Sequence, residues 1–280
     1  MSAPVAVPAN PDKLGLILRI GLFVLLGYLG LIAFALVLGS LGGRFITATL
    51  STFGAASVAN AVTVRIFERG SLADLGLAWR PTSAREFLIG AGAGIVAATL
   101  VLGGPVVFHA AHFVGAPGVE HPIGAFFFVS LLLLFGALGE EMLFHGYGFQ
   151  LLVRSVGPYA TILPMAVIFG LAHAGNLNAT VWGLVNTVLW GVLLGWAYYR
   201  TQALWLPFGL HFGWNFTLPL FGENLSGFTM GVTGHTLLWS VGDLWSGGAY
   251  GPEGGVLTTA IVFVLFFVLL RWGPRQEEEA

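Results

Sequence analysis

The sequence predicts an all-α, polytopic membrane protein with about eight transmembrane helices and both termini in the cytoplasm. Three observations lead there. Charged residues are only 9% of the 280 while apolar types reach 56%. Mean hydropathy is +0.87. Apolar runs long enough to cross a bilayer recur along the whole chain. A soluble domain covers itself with roughly 25% charged residues, whereas a lipid-facing surface needs no such cover. No polar stretch here is long enough to house a soluble domain.

The elements follow in order. Residues 1–13 read as a polar, proline-containing tail. The apolar run Leu14 to Leu38 is too long for a signal-peptide core and lacks a cleavage site, so it reads as a retained first span over 14–39. Crossing a hydrocarbon core of about 30 Å takes roughly 20 residues. That test adds spans at 45–67, 87–108, 123–155, 158–174, 179–199, 202–221 and 256–272. The second is the least apolar, being rich in Thr and Ser. The fourth is too long for one crossing, so its second half is expected to bend or to project from the membrane.

Between spans two and three lies a linker, 68–86, in which Ser71-Leu-Ala-Asp-Leu-Gly-Leu reads as a short amphipathic interfacial helix. Residues 222–255 contain no Lys or Arg and many glycines. They read as an extracytoplasmic surface excursion with a short helix around 236–244. The end, Gln276-Glu-Glu-Glu-Ala280, reads as a solvated acidic tail. The resulting organisation is a 14–119 helical region, a 120–221 core, the 222–255 loop, and a last span with its tail over 256–280.

Charge placement orients this scheme. With eight alternating spans, Lys13, Arg19, Arg65, Arg69, Arg80, Arg85, Arg154, Arg200, Arg271 and Arg275 share one side, and only Arg44 of the eleven basic residues falls opposite. Positive-inside bias then places both termini in the cytoplasm. The same inventory excludes several classes. Absence of cysteine removes disulfides and thiol catalysis. No basic face suits nucleic acid. No internal repeat supports a transporter of duplicated halves, although buried Glu and His also form proton relays.

Ionisable side chains inside spans are costly, so each is a candidate functional residue. Glu140, Glu141, His145, His173 and His211, with Asn215, all fall between spans four and seven. Gly157-Pro158 breaks the chain between two helices. Glu140 lies 17 residues before Gly157 and His173 lies 16 after it, so a helical hairpin would set both roughly 25 Å from the turn. From the turn near Arg200, His211 and Asn215 would climb roughly 16 and 22 Å. Being four apart, they share a helix face. Three helices can therefore bring carboxylate, imidazole, imidazole and amide to one buried point.

Those residues carry a resemblance. Glu140-Glu-Met-Leu-Phe-His-Gly146, Phe169-Gly-Leu-Ala-His173 and His211-Phe-Gly-Trp-Asn215 resemble the three signature blocks of the CAAX-protease and bacteriocin-processing family of intramembrane proteases, also called the Abi family. The flanking Tyr198-Tyr-Arg-Thr-Gln-Ala-Leu-Trp205 also matches, and the resemblance covers about 120–221. It implies an intramembrane endopeptidase in which Glu140 activates the attacking water and His173 positions that water or handles its proton. His211 and Asn215 would bind the developing oxyanion or help hold a metal. Glu141, His145 and Phe169 are supporting residues.

The implied cofactor is Zn2+ or another divalent metal held by Glu140, His173 and His211, with a metal-free mechanism standing beside it; no HExxH occurs. Implied partners are the lipid bilayer and a membrane peptide or protein substrate, in the cell membrane of a prokaryote. Prenylated CAAX tails are the family's eukaryotic substrate, and nothing in this sequence identifies one. The family's first block is EExxxR, and His145 stands where arginine is expected. Three readings stay open: His145 replaces arginine as partner of Glu141, Glu141 and His145 bind metal together, or activity is lost. The last leaves a non-proteolytic scaffold or immunity factor of the same fold as the alternative function.

Other features read more plainly. His109, His112, Glu120 and His121 fit an exposed loop better than a metal site. Gly90-x-x-x-Gly94 and Gly191-x-x-x-Gly195 suit close helix approach within one bundle, or a dimer face. Trp79, Trp205 and Trp272 suit lipid interfaces, and Trp214 suits packing.

Overall fold

The computed structural model describes residues 12–40, 42–116 and 122–271. Residues 1–11 of the N-terminal tail, Glu120, His121, Trp272 and the acidic C-terminal tail lie outside the described residues. Ten α-helices and a two-stranded ribbon are arranged among them: α1 Lys13–Leu38, α2 Arg44–Glu68, α3 Ser83–Val107, β1 Ala111–Gly115, α4 Pro122–His145, α5 Tyr147–Val156, α6 Pro158–Ala172, α7 Val181–Thr201, α8 Trp205–Leu220, β2 His235–Trp239, α9 Asp243–Ser246 and α10 Val256–Arg271. Local chemistry sets several ends. Asp12 caps α1 by accepting the Gly15 N–H at 2.8 Å, and Thr180 caps α7 by accepting that of Gly183 at 2.9 Å. Pro158 opens α6 at a position where its missing N–H costs nothing.

The expected number of spans is corrected. Among the described residues five helices, not eight, are long and apolar enough to cross a membrane: Lys13–Leu38, Arg44–Glu68, Ser83–Val107, the bent Pro122–Val156, and Val181–Thr201. The predicted spans at 158–174, 202–221 and 256–272 correspond to helices of 15, 16 and 16 residues. At 1.5 Å per residue these reach only about 22–24 Å. The predicted runs at 158–174 and 202–221 also took in non-helical residues at their ends, among them Ala174, Ala203 and Leu204. The cytoplasmic placement of the two termini rested on eight crossings, and the terminal segments themselves lie outside the described residues. What stands is an all-α, multi-pass integral membrane protein.

The long fourth run bends at Gly146. Asn60 of α2, fully buried, donates to the Met142 carbonyl at 2.8 Å and accepts the Tyr147 N–H at 2.7 Å. It thus satisfies backbone groups that the break leaves without helical partners. Residue 146 must be glycine there, since a Cβ would strike the Met142 carbonyl and the Asn60 amide oxygen. In the linker, the expected amphipathic helix is a single 3-10 turn, Leu72–Leu75, with a capping box between Ser71 and Asp74.

Helices α3 and α8 make the closest contact in the bundle. A Cβ on Gly90 or Gly94 would run into the backbone of Leu206, Leu210 and Trp214, and one on Gly209 or Gly213 into that of Phe87 and Ala91. Gly191 likewise lies against Ala166 of α6. Both glycine pairs therefore serve approach within the chain. Leu102, Leu193, Leu194, Trp190, Trp214 and Leu218 fill the core between these helices.

Within 222–255 the helix expected around 236–244 is not formed as such: a strand occupies its first part and a single short helix, Asp243–Ser246, its end. Residues 235–239 form β2, antiparallel to β1 with Ala111 opposite Trp239 and Gly115 opposite His235. His112 therefore lies on a ribbon and not in a loop. Further on, the Asn186 amide of α7 donates to the carbonyls of Glu253 and Gly255 at 2.7 and 2.9 Å, and Thr258 donates to Pro252 at 2.7 Å. Glycines hide this fold from a composition test because they supply the turn conformations it needs, as at Gly222, Gly227 and Gly251 with φ of 73°, 83° and 99°.

Within this cover Glu223 accepts the Trp239 indole N–H at 3.1 Å. Burial lifts its carboxyl from the usual 4.5 to about 7, against the lowering pull of the hydrogen bonds from Trp239 and the Leu237 backbone. A raised carboxyl favours the folded state fully below the unfolded value, loses that contribution as pH climbs through about 7, and adds no slope above. Thermal unfolding of the purified protein should accordingly show a decline from about pH 4.5 to 7 that is shallower in Glu223→Gln. Parallel curves for the two proteins would contradict this.

Candidate functional site

Adjacent residues on a helix are about 100° apart around its axis, so Glu140 and Glu141 of α4 point in different directions. Glu141 faces inward and is 1% exposed, whereas the Glu140 side chain is 27% exposed and lines a cavity of about 310 Å³. Asn215, His173 and His211 line that cavity as well.

Two imidazoles meet the buried carboxylate. His145 Nδ1 lies 2.8 Å from Glu141 Oε2, and His211 Nδ1 lies 2.8 Å from Oε1. An ionised carboxylate only accepts, so both rings donate from Nδ1. His145 thereby fills the position of a Glu141 partner, with its ring edge-on to Phe149. His173 follows the last turn of α6, and its Nδ1 donates to the Phe169 carbonyl at 2.8 Å. The Phe169 ring stands edge-on to both His173 and His211, at 4.8 and 6.3 Å between centroids.

These bonds fix what faces the cavity. With Nδ1–H committed on His173 and His211, each neutral ring presents a bare Nε2 acceptor. The two nitrogens lie 3.8 and 3.7 Å from Glu140 Oε2. That oxygen is buried and has no protein hydrogen-bond partner. Three acceptors from three helices thus converge at distances too long for direct hydrogen bonds. The arrangement calls for a donor between them. A water molecule supplies two O–H groups and can reach acceptors spaced this way, as buried polar sites commonly require.

A divalent ion fits less well. One carboxylate and two imidazoles are suitable donors for an open zinc site, but bonds of about 2.0–2.1 Å place tetrahedral ligands about 3.3 Å apart. Separations of 3.7 and 3.8 Å are wider. Among the described residues no group of three His, Cys, Asp or Glu is arranged to hold a metal ion.

Sequence reasoning missed one charged residue of this cavity wall. Glu253, from the cover, lines the cavity as well. Its Oε1 accepts the Trp214 indole N–H at 3.2 Å, and its Oε2 accepts the Ser226 N–H and hydroxyl at 2.6 and 2.8 Å. Trp214 does pack, at 2% exposure, but its N–H is also spent on this carboxylate. In a glycine-rich segment without periodicity, the lone charge in Gly251-Pro-Glu-Gly-Gly255 was the one available signal.

Residues 122–217, about a third of the chain, match the family model described as Type II CAAX prenyl endopeptidase Rce1-like. That family lies within the wider CAAX/Abi clan of intramembrane proteases. The matched stretch is therefore similar to an intramembrane hydrolase, and it contains Glu140, Glu141, His145, His173, His211 and Asn215. No curated protein matches the chain.

Proposed function

We propose that this chain is an intramembrane endopeptidase that hydrolyses peptide bonds of membrane peptides or proteins with a glutamate-activated water. The observation that carries the reading is the trio of facing acceptors, Glu140 Oε2 with the Nε2 atoms of His173 and His211, inside a cavity. A water held there points both O–H bonds at bases and a lone pair at whatever carbonyl lies beside it, which is the geometry of general-base attack.

In this mechanism Glu140 takes the proton as the water oxygen attacks the scissile carbon, and His173 holds the second O–H. With His211 carrying a proton taken from solvent at Nε2 before attack and kept through the cycle, that N–H is a donor toward the developing oxyanion, its Nδ1 bond to Glu141 fixing the ring. The Asn215 amide, one helical turn further along α8, is the second donor. Glu140 then passes its proton to the leaving amine. Glu141 and His145 never touch substrate; their bond orients His211.

The test uses purified protein in liposomes with fluorogenic single-span peptides in 18O-enriched water. The expected result is cleavage with one 18O in each new carboxyl group, unaffected by a metal chelator. Absence of cleavage across a broad peptide panel, or product lacking the label, would overturn hydrolysis. Chelator-sensitive cleavage restored by Zn2+ would replace the water-only route with a metal-bound one.

A further inference from the structure

Glu253 is an anion that the chemistry above does not use. Its backbone is tied to α7 through Asn186, and its carboxylate is gripped by Trp214 of α8 and by Ser226. Ser226 adopts a left-handed conformation with φ of 48°, unusual for a residue with a side chain, and so aims both its N–H and its hydroxyl at one oxygen. All three donors are neutral. A carboxylate offers about four acceptor directions, and these bonds occupy three. Among the described residues no Lys, Arg or His lies in salt-bridge contact with it.

The rest of the cavity supplies no compensation. Its lining includes two carboxylates, Glu140 and Glu253, and no Lys or Arg. His173 presents a bare acceptor in its neutral form, and the positive charge that His211 can carry is already set between Glu141 at 2.8 Å and Glu140 at 3.7 Å. A substrate carboxylate brought here would meet like charge with no unpaired cation to receive it, and such juxtaposition costs several kcal/mol. A positive group would instead find a fixed, partly desolvated partner whose geometry needs no reorganisation.

The rise along α8 relates Trp214, which holds Glu253, to His211, which faces Glu140. Trp214 lies three residues past His211 on α8, a rise of about 4.5 Å. An extended peptide advances about 3.3–3.6 Å per residue, so the anion addresses a substrate side chain within about three residues of the bond at Glu140.

We propose that Glu253 is a specificity-determining residue that selects peptide substrates carrying an ammonium or guanidinium group within a few residues of the scissile bond. The inference rests on the peptidase reading, because it takes the cavity to be the substrate site.

The test measures binding and cleavage separately. Single-span peptides differing only by Lys, Gln or Glu, scanned across three positions on each side of the cleaved bond, are titrated onto full-length Glu140→Gln protein and assayed for turnover by the native chain. At one position at least, Lys should bind about tenfold more tightly than Gln, and Glu about tenfold more weakly. In Glu253→Gln, whose amide oxygen still accepts from one donor set, the Lys-to-Gln ratio should fall within about twofold, and Glu253→Lys should invert the order. Peptides with free and acetylated N-termini distinguish a side-chain cation from a terminal ammonium. A Lys-to-Gln ratio near one throughout the native series, or one that survives in Glu253→Gln, overturns the proposal; the native series decides even if Glu253→Lys fails to fold. Cleavage without charge preference defeats this inference alone. Charge-selective binding without any cleavage defeats the peptidase reading and leaves the cation site standing.

Discussion

Replacing Glu140 by Gln should lower turnover by about three orders of magnitude while leaving the protein folded. A positioned general base contributes roughly 10²–10⁴-fold, and an amide of the same shape cannot take a proton. Folding should survive because Glu140 Oε2 has no protein hydrogen bond to lose and the side chain is partly exposed to the cavity. Glu141→Gln should behave differently. Its carboxylate is 1% exposed and receives two imidazole N–H groups, so an amide would turn an NH2 donor toward one of them. Removing an acceptor from a buried, charge-assisted bond costs about 1–3 kcal/mol, so this variant should unfold at lower temperature as well as turn over more slowly. Turnover assays with thermal unfolding of both variants separate the roles. Native-level turnover in Glu140→Gln would remove Glu140 from the chemistry.

The second large effect is expected from Gly213→Val on α8. A Cβ at this position lands on the Ala91 carbonyl of α3, and the next atoms, the Ala91 carbonyl carbon and Cα, are 2.9 Å away. These are backbone atoms, so relief requires moving a helix. Overpacking of this kind costs about 1–3 kcal/mol. His211 lies two residues earlier on the same helix, and a displacement near 1 Å at a catalytic group can cost about 10²-fold in rate. Gly94→Val should act similarly from the α3 side, where the Trp214 backbone nitrogen lies 2.6 Å from the added atom. Gly92, on α3 with nothing within 4 Å of a Cβ, is the control, and Gly92→Ala should be nearly neutral. Gly213→Val with unchanged stability and turnover would show that the α3–α8 contact does not position His211.

Helix existence was legible because it is a local property. Each apolar run has a helix within it, and the Gly157-Pro158 break falls between α5 and α6 as local chemistry requires. Helix length was less legible. A hydropathy pattern counts apolar residues whether they are helical or not, and so the runs at 158–174, 202–221 and 256–272 passed as crossings although their helices have only 15, 16 and 16 residues. The types of the polar residues near Glu140 were also plain, since Glu and His stand out against an apolar background. Their orientations were not. Nothing local states that Glu140 faces the cavity while Glu141 is buried between His145 and His211.

By itself, then, the sequence determined an α-helical membrane chain, the stretch in which ionisable residues concentrate, and the three short blocks that bear them. Tertiary structure alone decided how many helices are long enough to cross, which oxygen of which glutamate is left without a partner, and that a glutamate from the glycine-rich cover joins the cavity wall. The reason is physical. Helix formation depends on neighbours a few residues away, whereas contacts such as Asn60 with Met142, or Glu253 with Trp214 and Ser226, link residues that only the packed bundle brings within 3.2 Å.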